Sequence, residues 1–246
     1  MPEFPKGTGG RWTPTVAARP ARQNGAVIDQ ETLDALWDFA DPAGSEARFR
    51  ESDDPELRTQ LARALGLQGR FDEAHVVLDE RDVPIRTALE RGRLYNSSGD
   101  PRTAIPLFER AAVEARSAQH DFLEIDALHM IAIAHAERAE SSTAEALVIV
   151  DRSSDIRTKR WATSLHNNLG WHFHDAGQPE RALAEFQLAL AQAQTDQQNF
   201  WARWAVARCL RTLGRKDEAR AIQLQLQQED PGDEDVLEEL RELAAE

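Results

Sequence analysis

Apolar residues along the chain recur at spacings that keep to one face of a helix. Leu33, Leu36, Trp37 and Ala40 form such a stripe near the start, and Val236, Leu237, Leu240 and Leu243 form another near the end. Alternating apolar–polar runs rich in Val, Ile and Thr are lacking, so the pattern predicts an all-α chain. Asp-Pro or Asp-x-Pro punctuation precedes several apolar stretches, at Asp54-Pro55, Asp82-Val83-Pro84, Asp100-Pro101 and Asp230-Pro231. An aspartate cap accepts first-turn amide hydrogens, and proline at the next position loses no bond, because its missing N–H had no partner there. Helix starts are expected at all four places.

The helical segments repeat. A Gly-x-x-x-x-Ala unit occurs at Gly69/Ala74, Gly99/Ala104, Gly177/Ala182 and Gly214/Ala219, and a fifth copy is read at Ala139/Ala144 with alanine in the glycine's place. The alanines are then 30, 40, 38 and 37 residues apart, a period suited to helix pairs. Glycine lets the first helix of a pair end in a left-handed residue, and the small alanine lets the second helix lie close to the first. The 40-residue interval implies a longer second helix over residues 111–119, or a longer loop.

These units resemble the tetratricopeptide repeat (TPR) family, with its W-x2-L-G-x2-Y…A-x3-F…P pattern. The clearest copy is His166-x2-Leu169-Gly170-x2-Phe173…Ala182-x3-Phe186, completed by Ala189. Arg91-Gly92-x2-Tyr95…Ala104-x3-Phe108 with Ala111 is next, followed by Val206-Ala207-x2-Leu210…Ala219 with Pro231. Leu61-Ala62-x2-Leu65…Ala74-x3-Leu78 and Ile131-Ala132-x2-His135…Ala144-x3-Val148 are weaker copies. Segments 61–79, 91–110 and 167–187 are similar to uncharacterised cytoplasmic bacterial TPR proteins, which act as interaction modules of diverse use. The resemblance implies a right-handed α-solenoid of about five TPR-like helix pairs. Residues 1–28 read as a flexible basic arm, 29–52 as N-terminal capping helices with a short one near 45–50, 53–230 as the array, and 231–246 as an acidic capping helix.

In such a solenoid the first helices line the concave surface, so candidate binding residues are those that packing leaves over. With Leu165, His166, Leu169 and Phe173 packing, the other face of that helix carries Asn167, Trp171 and His174. With Val206, Ala207 and Leu210 packing, the next first helix presents Trp201, Trp204, Arg208 and Arg211. Earlier repeats add Arg93 and Asn96, then Asp126, His129 and Ile133. Indole next to guanidinium suits an acidic or C-terminal peptide with bulky side chains, since arginine takes carboxylates bidentately. The competing reading is that Trp201 and Trp204 fill the junction between repeats. The family's carboxylate clamp for chaperone tails is matched by Asn168 alone; Ile133, Trp201 and Ala205 stand where its asparagine and basic residues belong.

Composition narrows the function further. The net charge of −14 argues against non-specific binding to nucleic acid or anionic membrane, although Lys6, Arg11, Arg19 and Arg22 with Phe4 and Trp12 give the arm a basic, aromatic character. The stretch 229–246 has nine carboxylates against Arg241. No apolar run reaches the ~18 residues of a membrane span, and the N-terminus shows no apolar signal core, so a cytoplasmic location is expected. A single cysteine, Cys209, excludes an internal disulfide framework. His166, His172 and His174 are not spaced to converge on a metal, and no nucleophile elbow, phosphate loop or dinucleotide fingerprint occurs. The expectation is a non-enzyme without cofactor or metal: a protein- or peptide-binding scaffold, or alternatively a sensor whose ligand changes a partner's activity. Pairing of open solenoid surfaces into a homodimer is left open.

Overall fold

The computed structural model describes residues 30–79 and 83–245. Among these residues there are fourteen α-helices and no strand. The helices α1 (Gln30–Leu36) and α2 (Pro42–Arg50) lead into five pairs: α3 (Pro55–Leu67) with α4 (Phe71–Asp79), α5 (Pro84–Ser97) with α6 (Pro101–Ser117), α7 (Asp121–Ala134) with α8 (Ala139–Arg152), α10 (Trp161–Asp175) with α11 (Pro179–Gln192), and α12 (Asp196–Thr212) with α13 (Lys216–Glu229). The short α9 (Ile156–Lys159) precedes α10, and α14 (Glu234–Ala245) closes the array. Each first helix packs on its own second helix and on the first helix of the next pair, the contact pattern of an α-solenoid. The basic arm expected over 1–28 lies outside the described residues.

Local chemistry explains most helix ends. The Asp54 carboxylate accepts from the amides of Glu56 and Leu57, and Asp100 accepts from Thr103, both ahead of a proline in the first turn. Val83 caps α5 without a side-chain bond, and Asp82 lies outside the described residues. The fourth expected start differs. Asp230-Pro231 forms a turn in which Gly232 N–H donates to Asp230 Oδ1 at 3.1 Å, and the cap of α14 is Asp233, accepting from Val236 N at 2.9 Å. Between the helices of four pairs, Gly69, Gly99, Gly177 and Gly214 have φ of 70–89°, the left-handed conformation that the repeat unit requires.

The third pair corrects the register read from the sequence. Ala144 and Val148 are exposed, whereas Ala139 and Ala146 are buried. The close-packed partners Ala62/Ala74, Gly92/Ala104, Gly170/Ala182 and Ala207/Ala219 are each twelve residues apart, and so are Ala127 and Ala139, both buried. Ala139 is therefore the repeat's alanine rather than a substitute for its glycine. His135 is extended here, and a 3-10 turn, Ala136–Arg138, replaces the glycine turn. The longer second helix expected over residues 111–119 is present as α6, which runs to Ser117, while in this register the longest interval falls between Ala139 and Ala182, where residues 153–160 with α9 are inserted.

Size complementarity joins the pairs. A Cβ on Gly92 would stand 2.5 Å from the Phe108 ring, and one on Gly170 would stand 2.5 Å from Phe186. The α12/α13 pair has Ala207 and Gln223 in those two places, and both amide atoms of the fully buried Gln223 lack a hydrogen-bond partner. Three clusters of buried side chains run along the array. Leu33 to Leu94 form the first and Ala88 to Leu165 the second. Phe173 to Leu243 form the third. α5 and α10 each contribute to two of them.

Candidate functional site: the face of the first helices

The N-terminal half of this face is ionic. Arg93 Nη1 donates to Glu90 at 2.6 Å and its Nη2 donates to Asp126 of the next first helix at 2.5 Å. Burial works against the charge of Arg93, but the two carboxylates outweigh it and raise its pKa. Burial likewise works against ionised Asp126, yet Arg93 and Arg63 hold it below the usual carboxylate range. Burial is the main cause that pushes His129 down to about 4, with Arg93 and Arg63 adding to it and Asp126 opposing. A neutral imidazole fits its surroundings: His129 Nε2 is 3.0 Å from Asn168 Nδ2, and its ring meets Trp161 edge-on. Arg86 pairs with Glu56 across the first two pairs. Arg63 lies 5.5 Å from the Trp37 ring centroid and 5.2 Å from that of Phe39, two rings stacked flat at 4.6 Å. Trp37 Nε1 donates to Gln60 at 3.0 Å, which ties the N-terminal cap to α3.

The C-terminal half is aromatic. Trp204 lies between Trp171 and Trp201, with ring centroids 5.9 and 6.0 Å away, and Trp171 also packs edge-on against Phe186. Arg208 sits over the rings of Trp171 and Trp204, at 5.9 and 5.4 Å. Its Nη1 donates to Glu239 at 2.9 Å, and Arg211 Nε donates to the other oxygen of the same carboxylate at 2.8 Å. His174 Nε2 is 2.9 Å from Thr212 Oγ1, so α10 and α12 are joined at their ends.

The sequence-based candidates therefore separate into two groups. Asn96, Trp171, His174 and Trp201 are partly buried on the first helices and Asn167 is buried there. Trp204 does not stand free beside them: it is 5% exposed and belongs to the third core cluster. A single packing stripe underestimates α12, which is covered by α10 and α11 on one side and by α13 and α14 on the other. For Trp204 the junction-filling reading is the one observed. Arg93, Arg208 and Arg211, expected to await an acidic ligand, are already held by Glu90, Asp126 and Glu239. Glu90, three residues before Arg93, was legible as a helix neighbour. Glu239 was not, because 28 and 31 residues separate it from its arginines. His166, expected to pack, meets Glu185 through Nδ1 at 2.8 Å. Burial raises the Cys209 thiol to about 11, and it donates to the Pro179 carbonyl.

Two tetratricopeptide repeat family models match, over residues 55–80 and 173–242. No curated protein matches the chain in sequence. Among solved structures, a chain of the APC/C hetero-tetramer Cut9–Hcn1 is similar at 16% identity with a TM-score of 0.60; the likeness covers 82% of this chain and 39% of that one, so this chain spans well under half its length. The apo form of the quorum sensor NprR from B. thuringiensis has the same identity, 16%, and the same TM-score, 0.60, over 89% of this chain and 70% of that one. NprR in complex with its cognate peptide NprX is similar with a TM-score of 0.56 at 16% identity, over 89% of this chain and 74% of that one. TTC0263, a thermophilic TPR protein of Thermus thermophilus, is 20% identical with a TM-score of 0.51, over 78% of this chain and all of that one. At these identities the likenesses concern the fold. No helix among the described residues is long and apolar enough to cross a membrane.

Proposed function

The chain belongs to the tetratricopeptide repeat family, and from that premise we propose that it is a non-catalytic, cytoplasmic scaffold that receives a protein or peptide on the face of its first helices. The observation that carries the reading is a row of partly buried large or polar side chains on the first helices, Asn96, Trp171, His174 and Trp201 with the buried Asn167, in which Trp171 and Trp201 border the third core cluster. Preformed helix pairs present such a row at little entropic cost to the receptor. The test uses Trp201→Ala, because Trp204→Ala would remove a core side chain as well. Partner capture from native lysate should fall about tenfold, the loss of a modest hot spot, with helical circular dichroism unchanged; capture equal to wild type would refute the assignment.

A second reading is a sensor whose ligand changes the curvature of the array. It is favoured by the one broken interval, residues 153–160, between α8 and α10, and by the likeness to NprR. Small-angle scattering with and without ligand should differ for a sensor and hardly move for a passive scaffold.

A further inference from the structure

One arginine of the ionic half has no partner of its own. Arg86 pairs with Glu56, and Arg93 with Glu90 and Asp126. Arg63 of α3 makes no hydrogen bond and no ion pair with any described residue. Glu90 and Asp126 act on it only through space; burial first, and then the like charge of Arg93, outweigh them and lower its pKa. Arg63 is only partly buried and none of its nitrogens is enclosed, so they are open to a ligand. A guanidinium has five donor hydrogens, and one left without an acceptor is where an anion gains most.

The second observation is the aromatic stack beside it. Trp37 and Phe39 lie parallel, with planes 1° apart and centroids 4.6 Å apart. Phe49 meets Trp37 edge-on at 5.0 Å, and Phe39, which ends the stack, is 59% exposed. The Arg63 guanidinium carbon is almost equally far from the two centroids, 5.5 and 5.2 Å, so it stands beside the stack and not on the outer face of Phe39. That face is open, since no other described ring packs on it. The turn that carries the rings is firmly held. Trp37 Nε1 donates to Gln60, Asp38 N donates to Ser45 Oγ at 2.8 Å, and Arg48 Nε donates to the Leu36 carbonyl at 2.8 Å. A ring held out on so fixed a turn is preorganised for stacking.

We propose that Phe39 and Arg63 form a site for a small aromatic anion: a planar ring stacks on the outer face of Phe39, and a carboxylate or phosphate on a short flexible arm is held by the Arg63 guanidinium. The arm is required because the guanidinium lies behind the plane of that face, so a ring with the charge fixed directly on it does not reach both. A cationic ligand would meet the like charge of Arg63. The site goes beyond the scaffold reading and is separate from the row on α5, α10 and α12, so each stands or falls without the other.

Isothermal titration calorimetry on the full chain tests it with adenosine monophosphate and indolepropionate, which carry a phosphate and a carboxylate on an arm. Adenosine lacks the charge and benzoate lacks the arm, so these serve as controls. At least one armed anion should bind about tenfold or more tighter than either control, with an affinity that falls as salt rises from about 50 to 500 mM. Whichever of the two binds tighter identifies phosphate or carboxylate as the preferred group. Arg63→Gln should weaken that anion about tenfold, the loss of a charge-assisted hydrogen bond. Phe39→Ala should weaken it about fivefold or more, the loss of one stacked ring. Phe39 is exposed, so its removal should leave the thermal melt unchanged and keep lost binding distinct from lost folding. No binding of either anion, a control that binds as tightly, or an affinity unchanged in either variant overturns the proposal. None of these results bears on partner capture, which Trp201→Ala reads.

Discussion

Between α3 and α7 the first helices meet through charge; between α10 and α14 they meet through indole rings, with one carboxylate shared by two arginines. The first arrangement leaves little for a ligand between α5 and α7, because Arg93 is occupied on both sides and His129 is kept neutral beside it. The second leaves Trp171 and Trp201 partly exposed where they pack around the buried Trp204. A repeat array can thus join its first helices by ion pairs in one half and by aromatic packing in the other while keeping the same backbone.

The comparison can be broken at its strongest point by Arg93→Met. Removing the guanidinium leaves Glu90 and Asp126 buried without it, which should cost on the order of 3–5 kcal/mol in urea unfolding. A loss under about 1 kcal/mol, as for exposed pairs, would mean that the ionic half is not structural.

Acid should weaken the same half next. The folded-state pKa of His129 lies below the ordinary value of 6.5, at about 4, so the unfolded chain takes up this proton first as pH falls. Stability from the neutral ring is complete above about pH 6.5 and is lost progressively towards pH 4, by on the order of 3 kcal/mol. The groups facing the ring are Asp126, Arg93, Arg63, Asn168 and Trp161; Asp126 adds its own loss only at lower pH, since its pKa is also depressed. His129→Asn should flatten the stability profile between pH 4 and 6.5, as measured by thermal melts in matched buffers; an unchanged slope assigns it elsewhere.

In the aromatic half, steric fit should matter more than charge. Gly170→Ala drives a methyl into Phe186 and should cost about 1–3 kcal/mol. The smallest effect expected is a gain. Gln223→Leu replaces a buried amide that has no partners and should stabilise by about 1 kcal/mol, read as a higher unfolding midpoint. A loss instead would show that Gln223 bonds to an ordered water or to another buried group.

How much of this was legible follows from sequence distance. The helices, four of the five glycine-or-alanine registers, and the caps at Asp54 and Asp100 depend on residues within about one helix turn or one pair, and their signals sit close together in the chain. The third pair defeats a register keyed on glycine, because it turns without one. Two small residues twelve apart, Ala127 and Ala139, are the signal that marks it instead. What the sequence left out is which of the candidate side chains are already taken up. Trp204 is covered by neighbouring pairs, and Arg208 and Arg211 are held by a helix that follows them by about thirty residues. Periodicity reports which side of a helix is apolar; it does not report how many neighbours press on it.

The helices α5 and α10 each lend side chains to two adjacent cores, Leu89 and Leu94 to different ones and Leu165 and Phe173 likewise. The boundaries between cores therefore run through rigid rods instead of flexible loops. A chain pulled from its ends would give way in blocks of several helices, and each block would expose half of a helix whose other half stays folded. Such half-freed helices are natural places for re-zipping, so this array should recover from mechanical load by regrowth from an existing edge, without having to nucleate again.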